Sequence, residues 1–169
     1  MRKGLVVLLL MLFTLPVAAQ KLSKEEKAAL AKAKYEKALN AINSNNFVVV
    51  PASYQTSSGD VETNTDNSIF LLVQGKQVFL QGRIVCDNTY NNVAEPTEYD
   101  VKVDKKGNIK LRMIVQGRMV KGTYTISVRN NGNNADVIFN PQNGGTTRRF
   151  TGPLTPPSET SYNKRANPM

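Results

Sequence analysis

The sequence contains no histidine, the side chain that most often serves as a general base near neutral pH. Ser-His-Asp and Cys-His catalysis are therefore excluded. One cysteine without histidine cannot supply the ligands of a structural zinc site either. The remaining chemistry is that of carboxylates, lysine, tyrosine or a hard metal ion. This composition favours a non-catalytic protein with no cofactor and no bound metal.

Cysteine is nearly absent, and the single residue, Cys86, cannot form an intramolecular disulfide. Its neighbours Ile84 and Val85 favour a strand. In that strand we expect the thiol to be buried as a small hydrophobic group. Pairing between molecules, or a reactive thiol, is the alternative.

A block of positive charge is also lacking, although basic residues outnumber acidic ones by 22 to 13. Residues 20–46 hold six basic and three acidic side chains, and residues 47–154 hold twelve and nine. Surfaces that bind nucleic acids cluster Lys and Arg and add aromatic side chains for stacking. Neither pattern is present, so we expect no nucleic-acid partner. The expected partner is an unidentified protein, glycan or lipid of the cell envelope.

The first nineteen residues have the pattern of a secretory signal peptide. Arg2 and Lys3 give a positive start, residues 5–15 are apolar, and small residues lead to an expected cleavage between Ala19 and Gln20. The apolar run is too short to cross a hydrocarbon core of ~30 Å as a helix. The residue directly after the cleavage site is Gln20 and not a cysteine that could carry a lipid. We therefore expect an exported protein, periplasmic or secreted, without a transmembrane anchor in its mature form.

A charged helix is predicted within residues 20–46. Ser23 and Glu26 have the spacing of a capping box, and neither Gly nor Pro occurs from there to Ile42. Apolar side chains recur at intervals of three and four, which makes one stripe: Ala28, Ala31, Tyr35, Leu39 and Ile42. The stripe is thin at first, so we expect a projecting charged stem whose last two turns dock on an apolar surface.

From Phe47 the pattern changes to the two-residue period of β-strands. About eight strands are predicted, at residues 47–54, 69–74, 77–85, 98–104, 109–116, 119–129, 135–140 and 148–154. Most links between them have hairpin length, with Gly75-Lys76 and Asn130–Asn133 the clearest turns. We therefore expect a mainly β fold: an antiparallel meander that forms a curled sheet or closes into a lipocalin-like barrel.

The predicted domain spans residues 47–154, and residues 155–169 are expected to form a disordered tail because they are rich in Pro, Ser, Thr and Asn. The polar loops at residues 55–67 and 87–97 are the expected recognition segments, since loops carry function more often than the frame does.

Several strands carry apolar residues on both faces, as Phe70, Leu72, Phe79 and Ile114 indicate. Such strands are either covered on both sides or line a cavity while packing outward. A doubly covered sheet and a ligand-holding barrel both fit this pattern.

Three copies of an apolar-Gln-Gly-basic pattern occur at residues 73–76, 80–83 and 115–118. Gathered on one rim, their backbone N–H groups and cations would bind an anion. Their unequal spacing favours the other interpretation, in which each glycine permits a turn or bulge.

Six acidic residues lie in or beside the two predicted loops: Asp60, Glu62, Asp66, Asp87, Glu95 and Glu98. A pair of them could hydrolyse a glycoside or hold calcium, although no EF-hand spacing is present. We favour solvated loops. Ser161 and Lys164 fit the S-x-x-K pattern of penicillin-binding enzymes, but they lie in the predicted tail and are interpreted as a coincidence.

The order of these parts resembles a family of exported bacterial proteins, the domain of unknown function 4251. The resemblance covers most of residues 20–155. It rests on the Lys/Glu/Ala helix, the strand Asn46–Ala52, the Gly59-Asp60 loop, the paired apolar strands at 69–73 and 78–80, and the closing segment Phe150–Leu154. It implies a small β-rich envelope protein of a Gram-negative bacterium. The family has no assigned activity.

The favoured function is an exported, non-catalytic binding or interaction module with an unidentified ligand. A lipocalin-like carrier is one alternative, and it predicts an enclosed apolar pocket. A carboxylate-based hydrolase is the other, and it requires two acidic side chains about 5–10 Å apart in a cleft. Binding of a protein predicts an exposed apolar patch or a free strand edge.

Overall fold

The computed structural model describes residues 22–142 and 144–166, so the predicted signal peptide lies outside the described residues. The described chain contains two α-helices, α1 (Lys24–Asn43) and α2 (Arg83–Cys86), and a short 3-10 helix at Pro157–Glu159. Its ten strands are β1 (Asn46–Val49), β2 (Ser53–Gln55), β3 (Val61–Thr63), β4 (Phe70–Gln74), β5 (Gln77–Gln81), β6 (Asn91–Val103), β7 (Ile109–Gly117), β8 (Lys121–Val128), β9 (Asn134–Pro141) and β10 (Arg148–Thr155).

Eight of these strands form a closed antiparallel barrel. Strands β4 to β10 follow one another as a meander, and β1 closes the barrel by pairing with both β4 and β10. The predicted meander and its closed, lipocalin-like form are confirmed. Closure follows from the short links, because consecutive strands joined by hairpins must lie side by side, and a closed ring leaves no unpaired edge.

The hairpin turns lie where the sequence predicts them. Gly75 has a φ of 61° in the two-residue turn between β4 and β5, and Gln74 pairs with Gln77 across it. Asp104 anchors the turn before β7 by accepting hydrogen bonds from the backbone N–H of Lys106 (2.8 Å) and of Asn108 (2.9 Å). The Asn108 side-chain amide donates a further hydrogen bond of 2.9 Å to this carboxylate. Together these hydrogen bonds lower the pKa of Asp104, and the one from the Asn108 side chain contributes most.

Strands β1 and β2 lie one after the other along the same edge of β10. Val49 pairs with Leu154, and Tyr54 pairs with Phe150 further along β10. The chain between the two strands crosses so close to Gly152 that a Cβ there would lie 2.2 Å from the Val50 carbonyl oxygen. Only glycine fits at this crossing. Strand β3 pairs with β2 alone, so the β2–β3 hairpin extends the sheet beyond the barrel.

The barrel interior is filled by large side chains. Tyr124 is fully buried and stacks on Phe139, with ring centroids 4.4 Å apart. Its hydroxyl donates a 2.8 Å hydrogen bond to the carbonyl of Val85, and burial raises the pKa of Tyr124 well above its usual value. Phe47, Met113 and the other inward-facing apolar residues form one cluster with this pair. Eight strands enclose just enough space for such a packed core.

Helix α1 covers one end of the barrel. Ser23 accepts a 3.1 Å hydrogen bond from the N–H of Glu26, whose carboxylate accepts a 2.7 Å bond from the N–H of Ser23, as the capping box predicts. The first two turns are exposed, whereas Ala38 and Ile42 are buried in the core cluster. The expected charged stem and docked final turns match this arrangement. Tyr99 donates a 2.7 Å hydrogen bond to the Ile42 carbonyl and ties the helix end to β6.

Helix α2 lies at the opposite end, directly after β5, and corrects the strand predicted over residues 77–85. Gly82 has a φ of 99°, which ends the strand and starts a single helical turn. Cys86 is in this turn rather than in a strand, and its thiol is only 3% exposed. Burial raises the pKa of Cys86 to about 11. A buried, protonated thiol agrees with the interpretation of Cys86 as a small hydrophobic group.

The second predicted loop also needs correction, because residues 91–97 belong to strand β6. Only residues 87–90 connect α2 to that strand. Pro96 is tolerated within β6 because the register shifts between Pro96 and Glu98, where the strand bulges. Of its polar residues, Glu95 and Thr97 are exposed, whereas Asn91 and Asn92 are buried and their side chains form hydrogen bonds.

Residues 156–166 form an ordered segment, here called the C-terminal strap, that packs on the outside of the barrel. It covers an apolar outer cluster made of Val48, Phe70, Leu72 and Phe79. The Tyr162 ring lies 5.0 Å from the Phe70 ring, and the Lys164 ammonium lies 3.3 Å from the centre of the Phe79 ring. The prediction of a disordered tail is therefore wrong for these residues. Residues 167–169 lie outside the described part of the chain.

Buried amides anchor the strap. Gln81 donates a 2.9 Å hydrogen bond to the Asn163 carbonyl, and its side-chain oxygen accepts one of 2.9 Å from the Arg165 N–H. At the other end of the strap, Lys37 of α1 forms a 3.0 Å ion pair with Glu159. Strands β1, β4 and β5 are thus apolar on both faces because both faces are covered.

Candidate functional site

Two surface clefts meet at the end of the barrel that carries α2 and the β2–β3 hairpin. The first, here called the β3 cleft, has a volume of about 370 Å³ and lies over β9, β10, β2 and β3. The second, the arginine cleft, has a volume of about 280 Å³ and lies between β2, α2 and the start of β10. Tyr54, Gln55 and Arg149 line both clefts. The end of strand β2 therefore forms their common wall.

The β3 cleft combines an apolar floor with polar walls. Ile138 of β9 is half-buried, and Val61 of β3 is 74% exposed. Asp136, Arg149 and Ser53 add polar groups around them. The hydroxyl groups of Ser53 and Thr151 share a 2.8 Å hydrogen bond, which links β2 to β10. A side chain or ring of moderate size fits such a surface.

Three arginines from two distant parts of the sequence line the arginine cleft. Arg83 begins α2, and Arg148 and Arg149 begin β10. Arg148 forms an ion pair with Asp87, which follows α2 in a left-handed conformation with a φ of 66°. The Nε atom of Arg148 is buried and has no hydrogen-bond partner among the described residues.

The other two guanidinium groups are exposed, and neither Arg83 nor Arg149 has a side-chain hydrogen bond or ion pair within residues 22–142 and 144–166. Thr56 and Ser57, from the loop after β2, also line the cleft. The cleft is therefore a concave site lined by both cationic and hydroxyl-bearing side chains.

Strand β2 is held at this site by its own hairpin. The Tyr54 hydroxyl hydrogen-bonds the carboxylate of Glu62 on β3, and this bond raises the pKa of Tyr54. Gln55 donates a 3.1 Å hydrogen bond to the carbonyl of Gly59 in the turn. The common wall of the two clefts is thus fastened to β3 by side chains as well as by strand pairing.

Five of the six acidic candidates each form a separate local contact. Asp66 accepts a 2.8 Å hydrogen bond from the Ser68 N–H. Hydrogen bonds from the Ser68 side chain, which contributes most, and from the Ser68 backbone lower the pKa of Asp66. Glu98 pairs with Arg112 across the sheet. Glu62 contacts Tyr54, Asp87 pairs with Arg148, and Asp60 contacts Ser58. Glu95 is exposed. Each of these contacts involves only one of the six carboxylates.

The three Gln-Gly patterns do not share one rim. Gly75 precedes β5 and Gly82 follows it, so these two glycines lie at opposite ends of the barrel. Gly117 ends β7, where a Cβ would lie 2.7 Å from the Val93 carbonyl oxygen. The turn and close-approach interpretation explains all three positions.

Ser161 and Lys164 are in the C-terminal strap, where Lys164 packs on Phe79 and burial lowers the pKa of Lys164. The S-x-x-K spacing is here part of an extended strap rather than the start of a helix.

Within residues 22–142 and 144–166, no group of three or more Cys, Asp or Glu residues is arranged to hold a metal ion. The same part of the chain has no helix with the length and apolar character needed to cross a membrane.

Sequence reasoning missed the arginine cleft, although Arg83 belongs to one of the Gln-Gly patterns. Positive charge is dispersed along the sequence, and 65 positions separate Arg83 from Arg148. The Arg148-Arg149 pair at the start of a predicted strand was the only local signal. The cleft arises because β10 returns to the end of the barrel where α2 lies.

The fold is similar to that of a solved protein of the DUF4251 family from Bacteroides eggerthii. The two chains are 24% identical, with a TM-score of 0.67, and the similarity covers 79% of this chain and 94% of that one. The resemblance derived from the sequence is thereby confirmed at the level of the fold. No protein-family model matches the chain, and a search of curated proteins found no match.

Proposed function

We propose that this protein is an exported, non-catalytic binding module that holds its ligand at the arginine and β3 clefts. The observation that carries the proposal is the meeting of two clefts at one end of a closed barrel, with Tyr54, Gln55 and Arg149 common to both. Binding sites are concave and combine apolar surface with a few placed polar groups. This pair of clefts has both.

The barrel serves as a rigid frame in this proposal. Its interior holds packed aromatic and aliphatic side chains, with Tyr124, Phe47 and Phe139 at most 1% exposed. Packed interiors have few voids larger than a water molecule. This packing counts against a lipocalin-like carrier, whose ligand would need the space that these side chains fill. Binding of a ligand in the two surface clefts leaves this packed core unchanged.

The free edge of β3 is a less favourable site for a partner strand. Strand β3 has only three residues, and short edge strands are a common means of preventing strand addition. Val61 then serves better as a side wall of the β3 cleft than as the centre of a strand-pairing surface.

A ligand screen with two matched variants tests the proposal. Protein expressed from the full sequence is screened by thermal shift against glycans, lipids and small organic acids, because a ligand of the native state raises the apparent Tm. Gln55→Trp places a bulky ring in both clefts. Gln74→Trp places the same ring on an exposed position at the opposite end of the barrel.

We expect Gln55→Trp to abolish the Tm increase produced by a binding compound and Gln74→Trp to retain it. Equal retention in both variants would place binding elsewhere and contradict the proposal. A screen in which no compound raises the Tm would contradict it as well.

Export is the second part of the proposal, and the N-terminal sequence pattern supports it. If Ala19 and Gln20 flank the cleavage site, protein recovered from the periplasm begins at Gln20. Intact-mass measurement of the fractionated protein tests this. Recovery of the uncleaved chain from the cytoplasm alone would contradict export.

A further inference from the structure

We infer that the arginine cleft binds an oxyanion, the phosphate or carboxylate group of a ligand, through Arg83, Arg148 and Arg149. This inference rests on the proposed binding function and names the chemical class that the site recognises. All three arginines line one cleft of about 280 Å³, and none of its eight lining residues is acidic.

The local charge balance favours an anionic ligand. Asp87 pairs with Arg148 and neutralises one of the three cations. Arg83 and Arg149 keep their charges without an ion pair among the described residues. Like charges around one concavity repel each other, and a bound anion replaces this repulsion with attraction.

Some basic side chains elsewhere on the protein are neutralised by ion pairs. The exposed cations Lys37, Lys102 and Arg112 each form an ion pair with a nearby carboxylate. The start of β10 and the start of α2 instead bring unpaired guanidinium groups to the same cleft. What distinguishes this cleft is that three guanidinium groups line one concavity and, among the described residues, only one of them is paired with a carboxylate.

The donor groups suit an oxyanion. A guanidinium presents a planar fork of N–H donors that matches two oxygens of a carboxylate or phosphate. The Ser57 hydroxyl makes no hydrogen bond with another described residue, and the Thr56 hydroxyl shares a 2.8 Å hydrogen bond with Ser58. Both residues line the cleft together with the arginines, and their hydroxyl groups are further donors for the remaining oxygens.

Rigid attachment positions the cleft. Arg148 is fixed by its ion pair with Asp87, and the neighbouring Arg149 is in strand β10, which pairs with β9. Arg83 lies in α2, whose Val85 carbonyl accepts the hydrogen bond of the buried Tyr124. The backbone that carries each arginine is therefore part of the barrel or packed on its core.

Inorganic phosphate and succinate are the probes, and they distinguish a phosphate site from a carboxylate site. Each is titrated at constant ionic strength into protein expressed from the full sequence, with chloride as the reference anion. Amide chemical shifts in two-dimensional NMR report both location and affinity. We expect saturable shifts around Thr56, Arg83 and Arg149 with at least one probe.

The double variant Arg83→Gln, Arg149→Gln removes two exposed cations and leaves the Arg148–Asp87 pair intact. We expect its affinity for the probe to fall at least roughly tenfold, because two charge-assisted contacts are lost. Arg118→Gln is the matched control, since Arg118 is exposed and lies outside both clefts. The control retains the wild-type affinity.

Two results overturn the inference: no saturable shift with either probe, or equal weakening in the control and the double variant. Neutral compounds separate this inference from the proposed function. If such a compound is blocked by Gln55→Trp but binds the double variant as well as the wild type, the binding function stands and the oxyanion inference fails. If Gln55→Trp blocks nothing, the proposed function fails.

Discussion

Replacing Tyr162 with Ala tests whether the C-terminal strap stabilises the barrel. The Tyr162 ring is half-buried and lies 5.0 Å from the Phe70 ring at an interplanar angle of 55°. A tilted aromatic pair contributes about 0.5–1.5 kcal/mol beyond its buried area. Partial burial of the ring adds roughly 1 kcal/mol. We therefore expect Tyr162→Ala to lower the free energy of unfolding by about 2 kcal/mol.

Urea unfolding followed by far-ultraviolet circular dichroism measures this change, with the midpoint and slope compared between variants. Ser161→Ala is the matched control, because Ser161 is the preceding residue of the strap and is exposed. Surface substitutions of this kind change stability by less than about 0.5 kcal/mol. If Tyr162→Ala were no more destabilising than Ser161→Ala, the strap would not be a stabilising part of the fold.

Two further predictions concern buried polar groups. Gln81→Glu puts a carboxylate beside the Ser68 and Asn163 carbonyl oxygens, so we expect a loss of about 2–4 kcal/mol near pH 7. Because these neighbours raise the folded-state pKa of the new carboxyl, the loss should be smallest below its unfolded pKa of about 4.3 and grow as the pH rises through the raised value. The exposed control Gln74→Glu should lack this pH dependence in urea unfolding, and its presence in both variants would contradict the assignment. The Cys86 thiol, with its pKa of about 11, should react with iodoacetamide at pH 8 only as fast as the protein opens, and complete labelling of native protein within minutes by mass spectrometry would contradict its burial.

Turns and strands with strong local patterns were predictable from the sequence. The Gly75-Lys76 hairpin and the capping box of Ser23 depend on residues that are adjacent or three apart. Their conformations follow from the φ that glycine tolerates and from the donors that a helix start leaves unpaired. Such local preferences do not require knowledge of the rest of the chain.

The errors arose where tertiary contacts override local pattern. Ile84 and Val85 favour a strand by composition, but Gly82 bends the chain and the end of the barrel binds this segment as a helical turn. Tyr162 is surrounded in sequence by residues typical of disorder. It becomes ordered because an apolar face made by β1, β4 and β5 is available to it.

The candidate site was less predictable than the fold. Gln55, Thr56 and Ser57, at the start of the loop predicted over residues 55–67, line the arginine cleft. The second loop, at residues 87–97, is mostly strand. Arg148 and Arg149 contribute to the cleft because β10 lies beside β2, a pairing between positions nearly a hundred residues apart.

The sequence by itself determined the periods of its helix and strands, the positions of most turns and the exclusion of histidine chemistry, since each depends on residue type and near neighbours. The tertiary structure alone decided that the sheet closes, that the strap is ordered and that three arginines line one cleft. Those features depend on which distant residues share a face or an end of the barrel. Strand pairing sets that arrangement, and no local pattern records it.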